Sequence, residues 1–226
     1  MPITLRDIDI LNFINDFGYC NINHISKRFG FNYPRNYEVM RKLIKEGTVI
    51  HEFILKYQHG IYRLTNQGAK LTDFPPIKTV NLAHYHHHLI ATDLVISLWQ
   101  KYPDASLFTE RQLKRDQLEG GKRRPGHLPD AVLQMPDGKN IAIEVELTPK
   151  WKKRFEKIIK GYAASFYYKE VWYFCPTQLM ARLKILIGNM DFIKLYDLKD
   201  DCLNHQDHQE HHAFSLAIPS NPGEAA

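Results

Sequence analysis

Three acid side chains in one short stretch carry the chemistry this chain could do. Residues 127–150 read HLPDAVLQMPDGKNIAIEVELTPK: an apolar strand after Pro129-Asp130, a turn at Pro136-Asp137-Gly138-Lys139, then a second strand. In that second strand Ile141, Ile143, Val145 and Leu147 alternate with Ala142, Glu144 and Glu146, so the two glutamates share a face. Two carboxylates placed so close repel each other. A sheet packed between helices tolerates them only if a cation is shared or a proton retained. Asp130, on the partner strand, can face the same pair. Asp130, Glu144 and Glu146 together make a hard oxygen set suited to Mg2+ or Mn2+. A hairpin with solvated acids is the other reading of this pattern.

The elements that must position these acids follow from the flanking sequence. A helix is predicted over residues 83–101, with Leu89, Leu94, Val95, Leu98 and Trp99 on its apolar side, and a strand over 106–113. Residues 116–126, DQLEGGKRRPG, read as a loop: Gly120-Gly121 and Pro125-Gly126 flank Lys122, Arg123 and Arg124. That loop delivers positive charge next to Asp130, as a phosphodiester substrate would require. Past the hairpin come a helix over 151–167, a strand over 171–174, a helix over 177–187 and a strand over 192–198. The order is therefore helix, strand, strand, strand, helix, strand, helix, strand.

The front of the chain has a different plan. Thr4 and Asp7 form a capping-box-like start, after which Leu5, Ile8, Leu11, Ile14 and Phe17 recur at helical spacing up to Gly18. A second helix is predicted over 23–29 with Asn23 as N-cap and Gly30 as its stop. A third runs over 35–46 behind Pro34, with Val39, Leu43 and either Met40 or Ile44 inside and Arg35, Asn36, Arg41, Lys42 and Lys45 outside. Two strands, 48–55 and 61–64 about a His59-Gly60 turn, complete a winged helix-turn-helix. On the functional reading, residues 33–45 enter a major groove, with Arg35, Asn36, Tyr37, Arg41, Lys42 and Lys45 as contacts and Lys56 and Arg63 reaching phosphates. A protein-binding module is the alternative.

Paired prolines at 75–76 mark the linker, giving a DNA-binding domain over residues 1–74 and a core over 84–198. From residue 200 the chain turns His- and Pro-rich, a flexible tail. Thirty Lys and Arg against 25 Asp and Glu give a modestly basic balance, consistent with a polyanionic partner. Cys20, Cys175 and Cys202 are too scattered for a metal knuckle and suit free thiols of a cytoplasmic protein. No signal peptide or membrane span is expected. Among His84, His86, His87 and His88 only His84 and His88 have i, i+4 spacing, and interdomain or phosphate-facing roles are expected for the group, with His88 close to the site.

Pro129-Asp130 followed by Glu144-Val145-Glu146 resembles the signature of the PD-(D/E)xK nucleases, with Glu146 where their lysine usually stands. Over residues 4–198, a winged helix ahead of a core with one Asp and a Glu-x-Glu pair is similar to the replication-relaxation family and its MOBC-type plasmid relaxases. That resemblance implies an α/β chain in which the winged helix precedes a restriction-endonuclease-like mixed sheet flanked by helices. It implies metal-dependent nicking of plasmid DNA at an origin of transfer, with accessory relaxosome and coupling proteins as partners. Asp130 and Glu144 would hold the metal, and Glu146 would be a third ligand or the base. Lys150 is assigned the role of the missing motif lysine, with Lys153 and Lys157 as alternatives. Relaxation through a covalent phosphotyrosine would need one of twelve tyrosines, Tyr19, Tyr162, Tyr167 and Tyr168 among them. A regulator with an inactive nuclease fold and a restriction-type endonuclease remain open.

Overall fold

The computed structural model describes residues 2–56, 58–119, 127–148 and 152–198. Helix α1 (Leu5–Phe17) starts where expected: Thr4 accepts from the Asp7 amide at 3.3 Å, and Asp7 returns a carboxylate oxygen to the Thr4 amide at 2.7 Å. Strand β1 (Cys20–Asn21) leads straight into α2 (Ile22–Phe29). The N-cap of α2 is Asn21 rather than Asn23, because Asn21 Oδ1 accepts from the His24 amide at 2.9 Å. Helix α3 (Arg35–Lys45), strands β2 (Val49–Glu52) and β3 (Ile61–Leu64), and a short α4 (Asn66–Ala69) follow. The strands form an antiparallel sheet in the order β1-β3-β2. Ile10, Leu11, Ile14, Ile25, Met40, Leu43 and Leu64 fill the core beneath it.

The second sheet holds β4 (Ser106–Thr109), β5 (Ala131–Gln134), β6 (Asn140–Val145), β7 (Tyr168–Cys175) and β8 (Ile193–Asp197), in that spatial order. Its β4-β5-β6 pairs are antiparallel and its β6-β7-β8 pairs parallel. Helix α5 (Tyr85–Lys101) covers one face: Leu94, Val95 and Leu98 pack on Leu133, Ile141, Ile143, Val145 and Phe174. Helices α7 (Lys152–Ala163) and α8 (Thr177–Ile187) cover the other, with Phe155, Ile158, Ile159, Leu183 and Ile187 against Ala142, Val171, Tyr173 and Cys175. Every residue of β6 is buried, as a strand covered on both faces must be.

The predicted strand over 106–113 stops at Thr109. Thr109 and Gln112 form a reciprocal cap, Gln112 Oε1 accepting from the Thr109 amide at 2.7 Å, and α6 (Glu110–Glu119) begins. The predicted loop therefore opens as helix through residue 119, and Lys122, Arg123 and Arg124 lie outside the described residues. The helix predicted over 151–167 ends at Ala163, and β7 extends to Tyr168 on its amino side.

The front and core parts are packed together. Ile96 of α5 belongs to the front core, and Lys27 pairs with Asp93 at 2.9 Å. Arg28 lies over the Trp99 ring at 4.0 Å, and Arg111 Nη2 donates to the Pro75 carbonyl at 2.8 Å. His88 of α5 donates to the Tyr19 carbonyl at 3.1 Å, a position where burial keeps it neutral by lowering its pKa to about 4. Among the described residues no helix is long and apolar enough to cross a membrane.

Asp7 is the point on which the front part is most exposed to a single change. It is buried, caps α1 and lies 2.5 Å from Lys42 Nζ. Burial alone would raise its carboxyl pKa, but the hydrogen bonds from Lys42 and Thr4 outweigh burial and hold it below the ordinary value. Asp7→Ala strands a buried ammonium and removes a cap, so a loss of roughly 3 kcal/mol is expected in urea unfolding near neutral pH. Because the folded pKa is depressed, the difference from wild type should shrink as pH falls through it. A loss below about 1 kcal/mol would show the pair to be ornamental.

Candidate active site

The hairpin β5-β6 builds the acidic site from its backbone outward. Asp130 extends the ladder by one bond, its amide donating to the Ile143 carbonyl at 3.0 Å. Its Oδ2 accepts from the Val145 amide at 2.7 Å, which pins the carboxylate between the positions of the two glutamates. The alternation in β6 holds: Ile141, Ile143 and Val145 turn toward α5, whereas Ala142 packs on the α7 side. Glu144 turns to the α7 side as well, where its Oε1 accepts from His127 Nε2 at 2.7 Å and from the Tyr162 hydroxyl of α7.

Two histidines flank the acids. His87 Nε2 donates to the Val145 carbonyl at 2.9 Å and lies 3.7 Å from Asp130 Oδ2. The His127 side chain is 29% exposed, whereas the Glu144 side chain it holds is 3% exposed. Burial, and then the neighbouring Glu144 charge, push the Asp130 carboxyl up to about 7, against the pull of His87. Burial and Glu144 hold the Tyr162 phenol far above its usual range, which makes it a hydrogen-bond donor and a poor nucleophile. Tyr173 is fully buried, and its hydroxyl has no hydrogen-bond partner among the described residues. Burial and the charges of Glu144, Glu146 and Asp130 raise its pKa as well.

Glu146 is buried, and its amide donates to the Phe174 carbonyl at 2.9 Å. Among the described residues no three His, Cys, Asp or Glu side chains stand together as a set able to hold a metal ion. Glu144 is the acid whose charge acts on Asp130, and Asp130, Glu144 and Glu146 all act on the Tyr173 hydroxyl. Two carboxylates still suit a hard cation, because Mg2+ is commonly held by one or two carboxylates with water and phosphate oxygens completing its shell. The raised Asp130 carboxyl and the unpaired Tyr173 hydroxyl are what a site shaped for a further charged, oxygen-bearing group would show.

The remaining predicted residues divide clearly. Lys150 lies outside the described residues. Lys153 and Lys157 are exposed on α7, whose inward face is Phe155, Ile158, Ile159 and Tyr162, so neither reaches the acids as the alternative assignment required. On α3, Arg35, Arg41 and Lys45 are exposed, and Tyr37 is half-buried. Asn36 is corrected: it is buried, donating to Ser26 Oγ at 2.9 Å across the α2-α3 junction. Lys42 is half-buried, with its ammonium 2.5 Å from Asp7 Oδ2. Of the tyrosines, Tyr19 is buried between Tyr85 and His88, and Tyr162 is taken by Glu144.

Sequence reasoning missed His87, His127 and Tyr162 as partners of the acids. His127 opens the very stretch that carries Asp130, and that proximity was the available signal. For His87 the i, i+4 criterion pointed elsewhere, and for Tyr162 helical periodicity showed only burial.

The Asp130 carboxyl should titrate visibly. Its folded pKa lies above its unfolded value of 3.8, so the native state binds the extra proton between pH 4 and about 7. Stability should fall as pH rises through that window and level off above it. With 22% of the side chain exposed, screening reduces the effect to on the order of 2 kcal/mol. Asp130→Asn should be more stable than wild type at pH 8 and should flatten the profile. Parallel urea profiles for the two proteins would refute the coupling. Against protein families, curated proteins and solved structures, no family model, no curated protein and no solved structure matches the chain.

Proposed function

We propose that the chain is a metal-dependent DNA nickase of the relaxase type, whose front part binds a specific duplex site and whose core cuts one strand. The observation that carries this reading is the pair of half-buried Asp130, directly ahead of β5, and buried Glu144 on β6, in a mixed sheet with helices on both faces. That is the placement a PD-(D/E)xK nuclease core requires, and the basic net charge favours a polyanionic substrate. The front part supports a winged helix: three helices, then the β2-β3 hairpin, with Arg35, Arg41 and Lys45 exposed on α3. Tyr33 just ahead of α3 and Phe53 on the hairpin are 70% and 73% exposed, which suits contact with a groove.

Within the core, Asp130 and Glu144 are the residues that would hold Mg2+ or Mn2+. When bound, the cation would neutralise the scissile phosphate and activate a water. The Val145 amide fixes the Asp130 carboxylate so that it need not reorganise. His127 and Tyr162 fix Glu144 through one oxygen, leaving the other to bind. His127, at the rim, donates from Nε2 to Glu144, so its part is to hold that carboxylate in place. Plasmid DNA bearing an origin of transfer is the proposed substrate, with relaxosome and coupling proteins as companions.

One observation favours a second reading, a DNA-binding regulator on an inactive nuclease fold. The residue two after Glu144 is Glu146, and the described lysines of α7 face away from the acids.

Supercoiled plasmid separates these readings. With Mg2+ or Mn2+, open circles are expected from origin-bearing substrate, and Glu144→Gln should slow their appearance at least about a hundredfold while leaving duplex binding intact. Linear product would point to a restriction-type endonuclease, and no conversion with either metal leaves the regulator. Arg41→Ala with Lys45→Ala should weaken duplex binding and reduce the slope of log K against log salt by about 2. An unchanged slope removes α3 from the interface.

A further inference from the structure

Nearly all of the net charge of the chain sits on one helix. Helix α7 carries Lys152, Lys153, Arg154, Lys157 and Lys160 against Glu156, while the rest of the chain holds 25 Lys and Arg against 24 Asp and Glu. All five cations are exposed. Lys152 approaches Glu156 at 3.9 Å, but Lys153, Arg154, Lys157 and Lys160 form no ion pair among the described residues. Lys153, Lys157 and Lys160 follow i, i+4, i+7 spacing on the side away from Phe155, Ile158, Ile159 and Tyr162. They form one stripe about 10 Å long.

A solvated helix face commonly mixes both signs, because like charges one turn apart destabilise a helix. This one keeps three lysines in a row. The same helix reaches the acidic site, since the Tyr162 hydroxyl of its last turn donates to Glu144. Just beyond its end, Phe166 is 97% exposed and Tyr167 41% exposed, the Tyr167 ring lying 4.9 Å from that of Tyr168. Cations in line followed by an exposed aromatic ring, here Phe166, are the components of a single-strand site, where the backbone follows the charges and a base stacks on the ring. A duplex keeps its base faces stacked inside and offers nothing to Phe166.

We propose that the outer face of α7, with Phe166, is a track for a single strand of nucleic acid leading away from the acidic site. The inference rests on reading the chain as a nucleic-acid enzyme, and it names the strand that the core would engage. Its sequence specificity would be low, because phosphates and stacked rings carry little base information.

The test uses the full chain and a labelled single-stranded DNA 20-mer, with affinity read by fluorescence anisotropy across a salt series. Wild type should bind with a steep salt dependence. The triple variant Lys153→Gln, Lys157→Gln, Lys160→Gln should lower the slope of log K against log salt by about 2, at roughly 0.7 per phosphate contact. Phe166→Ala, which leaves every charge in place, should weaken binding about tenfold with the slope unchanged. Matching thermal midpoints would show that the exposed substitutions spare the fold. Single-strand binding equal in wild type and the triple variant overturns the track. So does binding of α7 to phosphatidylserine vesicles in preference to the oligonucleotide. Nicking is assayed separately on wild type: if nicking fails while the lysine-dependent single-strand affinity stands, the track survives and only the cleavage is lost.

Discussion

A carboxylate held by a backbone amide is the contact from which the core of this protein is organised. Asp130 Oδ2 accepts from the Val145 amide, at the point where β5 begins and β6 ends. The bond does two things at once. It closes the last rung of the hairpin, and it brings a half-buried carboxylate within reach of the buried Glu144. Burial and the Glu144 charge then raise Asp130 together, so the site keeps unfavourable energy that a bound cation or a retained proton relieves. A fold built only for stability would place an apolar pair there. The sheet around it does so at every neighbouring position, with Ala131, Val132, Ile143 and Val145 all buried.

The supporting groups share one arrangement. His87 comes from the helix on one face of the sheet, Tyr162 from the helix on the other, and His127 from the segment before β5. Each spends a hydrogen bond on the acid pair or on the peptide between the acids. None of the three is displaced by moving α5 against α7 without breaking another, because β6 lies between both helices. The acids are thus fixed by both layers of the fold, the condition under which small displacements do not blunt a binding site. The junction with the front part tightens the same elements. Lys27, Arg28 and Gln100 bind α2 to α5, and α5 carries His87.

The alternation of β6 and the cap of α1 could be read from residues, since both depend on period and on side chains three apart. The faces of Ile143 and Glu144 are fixed by geometry that any strand obeys. Legibility failed where tertiary contacts chose between local options. Thr109 suits a strand, but its exchange with Gln112 starts a helix, so the predicted strand was too long. Asn36 has a polar side chain on a helix otherwise read as basic outside, yet Ser26 draws it inward. Lys42 meets a buried Asp7 thirty-five residues earlier, a pairing that no local spacing shows. His127 and Tyr162 meet at Glu144 from segments far apart in the chain, and no spacing rule connects them.

Charge placement joins the two ends of this reasoning. Glu144 and Glu146 are buried, whereas α7 turns its five cations outward. Were the helix simply neutralising Glu144 and Glu146, its lysines would point toward the sheet, as Lys42 points toward Asp7 in the front part. Instead the inward positions of α7 are apolar, apart from the Tyr162 hydroxyl, and the acids are left to hydrogen bonds from neutral or weakly basic donors. Positive charge outside and negative charge inside favour an anionic polymer at the surface and a small cation beneath it. On the proposed reading, the two preferences meet in one substrate that is both long and phosphate-bearing.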